Sequence, residues 1–170
     1  MGVFLKRITS FLAIFLLVAL TVSAGSFKVG GGLAKFFGKG SDGLKLSYGF
    51  TVGYDITKNV GLRGNWHFSS YELVARGDEN DKLTFGVVTM EGIYQIPVLD
   101  NVNLYAGLGP GQVYAKYMNE TTSNTYLSTS VGADIQVVSN VWLNISGNML
   151  YNKEVENKPY RLLMGLNYAF

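Results

Sequence analysis

The chain has no cysteine, only three prolines and a single histidine among its 170 residues. Without cysteine there is no disulfide framework and no N-terminal Cys for lipid attachment. Scarce proline beside 21 glycines, 11 tyrosines and 10 phenylalanines favours strands joined by tight turns over helices. Net charge is also nearly absent: the formal value is +2, with Lys and Arg scattered and no basic patch interleaved with aromatics. That pattern excludes a nucleic-acid partner. Metal-ligating clusters, nucleophile elbows and phosphate-cradling loops are missing too, and Gly30-Gly31-Gly32 has no following helix to make it a phosphate site. No cofactor is expected.

One long apolar run exists, Ile8 to Val22, broken only by Thr9, Ser10 and Thr21; Lys6 and Arg7 precede it and Val22-Ser23-Ala24 follows. A basic end, a short apolar core and a small-residue exit describe a secretory signal peptide, with cleavage after Ala24. About 15 apolar residues fall short of the ~20 that a helix needs to cross hydrocarbon, which disfavours a membrane anchor. The domain reading is therefore a signal peptide over 1–24 and one folded domain over 25–170.

From there the dominant rhythm has period two. Leu44, Leu46, Tyr48, Phe50, Val52, Tyr54 and Ile56 alternate with Lys45, Ser47, Gly49, Thr51, Gly53 and Asp55. Successive strand side chains point to opposite faces, so this is a strand with one apolar face. Leu127 to Val137 and Tyr160 to Phe170 repeat the pattern. Three connections share one spelling, Asn-Val-x-Leu, beginning at Asn59, Asn101 and Asn140, 42 and 39 residues apart. Asparagine tolerates the backbone of tight turns, and Val and Leu two apart restart an apolar face. These read as equivalent turns on one side of a sheet. Polar loops over Gly38–Gly43, Arg76–Lys82, Met118–Asn124 and Asn152–Lys158 form the other side, only about six residues each. Strands are then expected near 27–37, 44–56, 60–75, 83–96, 102–117, 125–138, 141–151 and 159–170, several of them longer than the ~5–6 residues usual in soluble proteins.

Alternation alone does not separate a soluble barrel, apolar inside, from a membrane barrel, apolar outside. The composition of the second face does. It holds Lys45, Asp55, Arg63, Asn65, His67, Glu91, Gln95, Asp134, Gln136, Asn144, Asn148, Arg161 and Asn167, interrupted by glycine. Small and oppositely charged residues suit the crowded inside of eight strands, whereas a soluble surface is richer in Lys and Glu. Tyr54, Tyr94, Tyr151, Tyr160 and Tyr168 are expected in interfacial girdles. The expected fold is an all-β, eight-stranded, antiparallel up-and-down transmembrane barrel, monomeric, with both termini in the periplasm. Parity changes after Phe68, where Ser70 and Glu72 join the lipid-facing set, and between Val87 and Met90; bulges or strand ends clear of the bilayer are expected there. Lys35 points to lipid near a strand end, where it can snorkel.

On these residues the chain resembles the small eight-stranded outer-membrane superfamily of the OmpA transmembrane domain, OmpX and OmpW type. The most specific piece is the C-terminal segment Tyr160-Arg-Leu-Leu-Met-Gly-Leu-Asn-Tyr-Ala-Phe170. In that superfamily a terminal Phe with aromatic or apolar residues at alternate positions is read by the barrel assembly machinery, which the resemblance carries onto Tyr160, Met164, Leu166, Tyr168 and Phe170. The glycine-rich run Leu104–Tyr114 is a weaker likeness, and no peptidoglycan-binding domain follows. The resemblance implies an outer-membrane location, among outer-membrane lipid and lipopolysaccharide, and a structural or envelope-interaction role without catalysis.

Three other readings stay open. Lys45, Arg63, Glu91, Asp134 and Arg161 form a candidate interior ion-pair network, a polar plug or a gated narrow channel. A small hydrophobic-ligand passage of OmpW type needs a lateral opening or an apolar lumen. His67-x-Ser69 resembles the His-Ser pair of the barrel-shaped lipid A deacylases, with Glu72 or Glu91 as orienting carboxylate; yet Ser70 follows where that family has Asn, the family's pair lies on a later strand, and periodicity turns His67 inward.

Overall fold

The computed structural model describes residues 25–38, 46–72, 82–117, 120–153 and 159–170. The expected signal peptide, Lys45 and most of three polar loops lie outside the described residues. Eight strands follow in chain order: β1 (Ser26–Phe37), β2 (Ser47–Asp55), β3 (Val60–Glu72), β4 (Lys82–Leu99), β5 (Val102–Tyr117), β6 (Glu120–Val138), β7 (Val141–Tyr151) and β8 (Tyr160–Ala169). Each pairs antiparallel with its sequence neighbour, and β1 pairs with β8, so the sheet closes into a barrel. Closure removes the edges that strands this long and apolar would otherwise expose.

The period-two pattern translates directly into two faces. Leu46, Tyr48, Phe50, Leu127, Val131, Leu162 and Leu166 are exposed on the outer wall, while Arg63, Asn65, Gln95, Asp134, Asn148 and Asn167 are buried inside. The wall is greasy and the lumen polar, as a membrane barrel requires. Tyr94, Tyr151, Tyr160 and Tyr168 are exposed on the outer wall; Tyr54 is covered instead, since it lies against Gly25 and is only 4 % exposed. Lys35 is exposed on the outer wall, as expected.

The three Asn-Val-x-Leu turns are equivalent in space. The carbonyls of Asn59, Asn101 and Asn140 accept hydrogen bonds from the backbone N–H of Gln95, Gln136 and Ala169, at 2.8, 2.7 and 2.8 Å. In each case the turn asparagine caps a strand of the following hairpin, tying that turn to the next stretch of wall. Register shifts fall at Pro97/Leu99 and Gln136/Val138, just before the two-residue turns at 100–101 and 139–140. They are not where the parity of the sequence placed them. The β3–β4 ladder runs unbroken from Val60↔Tyr94 to Glu72↔Lys82. Val87 therefore keeps inward parity with Thr89 and Glu91 and is buried: an apolar residue inside, not a bulge. The stretch 118–124 is corrected as well. β6 begins at Glu120, and the β5–β6 ladder reaches Tyr117↔Glu120, so residues 120–124 of that expected loop belong to a strand. β1 is followed by Gly38, whose φ of 115° is a conformation that favours glycine.

Candidate functional site

The lumen is filled in layers. At the turn end, Lys28 from β1 pairs with Asp55 from β2 at 2.8 Å, and the Lys28 ammonium lies 4.8 Å from the ring centroid of Trp142. The next ionic layer joins β3 to β6: Arg63 Nη2 meets Asp134 Oδ2 at 2.6 Å. Asp134 Oδ1 accepts from Asn144 Nδ2 at 2.7 Å, Asn144 also donates to Tyr105 Oη at 3.0 Å, and the Arg63 guanidinium sits 4.1 Å from the Tyr105 centroid.

The third layer is held by Glu91. Its Oε1 accepts from Ser128 Oγ and from Asn148 Nδ2, its Oε2 from Ser130 Oγ at 2.6 Å. Asn148 Oδ1 in turn accepts from Arg161 Nε at 2.9 Å. Arg161 donates to Thr89 Oγ1 at 3.2 Å and lies 3.4 Å from His67 Nδ1; Asn65 joins Thr89 to Thr51. Glu91 and Arg161 thus share Asn148 rather than a direct ion pair. Beyond them the lumen turns apolar. Phe36, Val87, Tyr126 and Leu150 cluster with Phe85 and Val113, and Phe36 meets Phe85 edge-on at 5.2 Å.

Of the five residues expected in the network, Arg63, Glu91, Asp134 and Arg161 are 4 %, 1 %, 1 % and 1 % exposed and meet as described; Lys45 is outside the described residues. The sequence reading left Lys28 out, although it shares inward parity with Gly30 and Gly32. It also left out the apolar layer: Phe36 and Phe37 are adjacent, so one of them had to face in. Among the described residues the charges balance, Lys28, Arg63 and Arg161 against Asp55, Glu91 and Asp134. In a lumen of low dielectric an unbalanced charge costs several kcal/mol, on the order of what a single buried ion loses in desolvation.

His67 and Ser69 point inward and are buried, His67 against the Arg161 guanidinium. The carboxylate of Glu91 is occupied by Ser128, Ser130 and Asn148, not by His67. Both members of the expected His67–Ser69 pair therefore face the lumen rather than lipid. The wall beside this layer is shut. The β4–β5 ladder lapses at Pro110, which has no N–H to give, but register is kept on both sides, Thr89↔Gly111 and Gly92↔Leu108. At Gly109 a Cβ would stand 2.0 Å from the Met90 carbonyl; only glycine permits so close an approach.

Comparison with known proteins gives the same picture. The profile of the outer membrane protein beta-barrel domain matches residues 9–170. No curated protein matches the chain. Among solved structures, Ail of Yersinia pestis, in complex with the heparin analogue sucrose octasulfate, is similar at 21% identity and TM-score 0.59, covering 86% of this chain and 97% of that one. The N-terminal barrel of Pseudomonas aeruginosa OprF is similar at 17% identity and TM-score 0.60, over 84% and 97% of the two chains. OprG from the same organism has 15% identity and TM-score 0.57, over 86% and 96%. With an apolar outer wall, a polar lumen, eight closed strands and a profile match over nearly its whole length, this chain belongs to the outer-membrane β-barrel family and resides in the outer membrane.

Proposed function

We propose that this barrel is a structural and envelope-interaction element with a plugged lumen, rather than a catalyst or an open pore. The observation that carries the reading is the filling of the lumen by three ionic layers and an apolar one. Arg63, Asp134, Glu91 and Arg161 are each engaged from a strand that is not a neighbour, so a solute would have to break several buried charge-assisted hydrogen bonds to pass. Single-channel recording in planar bilayers tests this: no steady conductance is expected from the intact barrel, and a reproducible open level overturns the plug.

Surface contact is the interactive half of the reading. The wall is uneven in height: β6 pairs with β7 only from Leu127↔Tyr151, whereas its pairing with β5 begins at Glu120. The segment Glu120–Thr125, uniformly exposed and rich in Thr, Ser and Asn, rises as a hairpin beyond the β7 end. By the rule that short turns face the periplasm and longer connections the exterior, this hairpin projects outward from the cell and both termini lie in the periplasm. The apolar outer wall contacts outer-membrane lipid and lipopolysaccharide. The alternating exposed row Tyr160, Met164, Leu166, Tyr168 and Phe170 is the segment offered to the assembly machinery, and the barrel works as a monomer.

The narrow channel is the second reading, favoured by one detail: Arg63 Nη1 has no hydrogen-bond partner, so the central layer has a spare donor. A hydrophobic passage finds less support, because the upper lumen is occupied by its own apolar side chains and the β4–β5 wall is shut at Gly109. The lipid A deacylase reading has His67 on the wrong side of the wall.

A further inference from the structure

At the turn end the barrel is hollowed into a cup of ≈ 560 Å³, lined among others by Lys28, Asp55, Gln95, Asn103, Asn140 and Trp142. Ile93 and then the Arg63–Asp134 layer block its inner end, so it is blind. A blind polar cup of this volume lies within the range of small-ligand sites, ~300–1,000 Å³, and of the plug's layers only the Lys28–Asp55 pair reaches its wall.

We propose that this cup binds a neutral, hydroxyl-rich ligand, the end of a saccharide, presented from the periplasmic side. Three features select that class. First, the buried wall carries no net charge, because Lys28 and Asp55 neutralise each other at 2.8 Å; Lys58 stands on the exposed rim. An ionic ligand would have to compete with that pair. Second, the lining is rich in amides and hydroxyls, and one of them is unspent. Gln95 is 2 % exposed, and its Oε1 accepts no hydrogen bond within the protein. Its backbone N–H and carbonyl are both bonded to Asn59, so the main chain that carries this side chain is fixed at the cup wall. A buried acceptor without a donor is a cost that an incoming O–H or N–H removes. Third, Trp142 gives the cup an amphipathic aromatic wall, shared with the Lys28 ammonium 4.8 Å from its ring centroid, against which a sugar ring can lay C–H groups.

The chain has only two tryptophans, and Trp66 lies on the outer wall stacked on Phe50 at 4.9 Å. A Trp66→Phe variant therefore leaves Trp142 as sole reporter inside the cup. The experiment titrates the refolded barrel in detergent micelles with N,N′-diacetylchitobiose and, separately, maltose, following Trp142 emission. Isothermal titration of the unsubstituted protein gives a second reading should Trp66→Phe fold poorly. A saturable response with Kd on the order of 1 mM is expected for at least one of the two disaccharides. Gln95→Leu should weaken it by roughly tenfold, the loss of about one hydrogen bond, while the heat-resistant migration of the folded barrel stays unchanged. The proposal is overturned by no saturable response up to about 10 mM, by a response that survives Gln95→Leu, or by one that sodium sulfate reproduces without sugar. The plug is tested by conductance and stands or falls separately.

Discussion

Asp134 is held by Arg63 on one oxygen and Asn144 on the other, and it is the residue on which the central layer turns. Removing it leaves the buried Arg63 charge without its partner. Asp134→Ala should lower the unfolding free energy in lipid vesicles by about 3–5 kcal/mol, measured by urea titration. The double replacement Arg63→Met with Asp134→Leu should recover most of that loss, because the desolvation of two ions disappears with the pair. If the double variant is no more stable than the single, the layer is not held by charge pairing. Gly109 makes a different residue-scale demand. With the Met90 carbonyl 2.0 Å from where a Cβ would sit, Gly109→Ala must push β4 and β5 apart. A loss of about 1–3 kcal/mol is expected in the same assay; an unchanged value would show that the strands part freely at Pro110.

At the scale of elements, strand length separates wall from projection. All eight strand pairs serve closure, but the Glu120–Thr125 stretch of β6 pairs on one side only among the described residues. Asn152 Nδ2 donates to its Thr125 carbonyl at 2.8 Å, which ties its base to the top of β7. Trimming the β5–β6 hairpin by two residue pairs at its tip should therefore leave barrel stability within about 0.5 kcal/mol of the parent, while abolishing any surface contact the hairpin makes. A fall of several kcal/mol would mean that the hairpin belongs to the wall. β8 behaves oppositely. Leu166 faces lipid between Gly31 and Leu143, so Leu166→Arg should cost about 2–4 kcal/mol if it lies near the bilayer midplane and far less toward an interface. The size of the loss thus measures its depth.

For the molecule as a whole, the lumen grades from ionic at the turn end to apolar at the other. Leu150, from β7, fills the apolar layer beside Phe36. Leu150→Ala should cost about 2–5 kcal/mol through the void it leaves, yet conductance should stay absent, because the ionic layers beneath still close the path. A channel opened by this one truncation would move the gate from the charges to the apolar cap. The charge balance of the described lumen is a property of the closed barrel, because the charges that cancel sit on different strands, Arg63 on β3 and Asp134 on β6.

Much of this was legible in the chain before any fold was built. Period-two alternation is local, so Leu46, Tyr48 and Phe50 on one side and Arg63, Asn65 and His67 on the other announced their faces unaided. The asparagine turns did the same, since Asn59, Asn101 and Asn140 need only their neighbours to bend the chain. What the tertiary structure alone decided is partnership and height. Arg63 and Asp134 stand 71 residues apart on strands that are not neighbours, and they meet because closure wraps β3 and β6 around one lumen. Phe36, Val87, Tyr126 and Leu150 defied the polar-inside rule for the same reason. Each lies on an inward face at the same height, where together they bury one another, and that coincidence of height exists only after eight strands have been set in register.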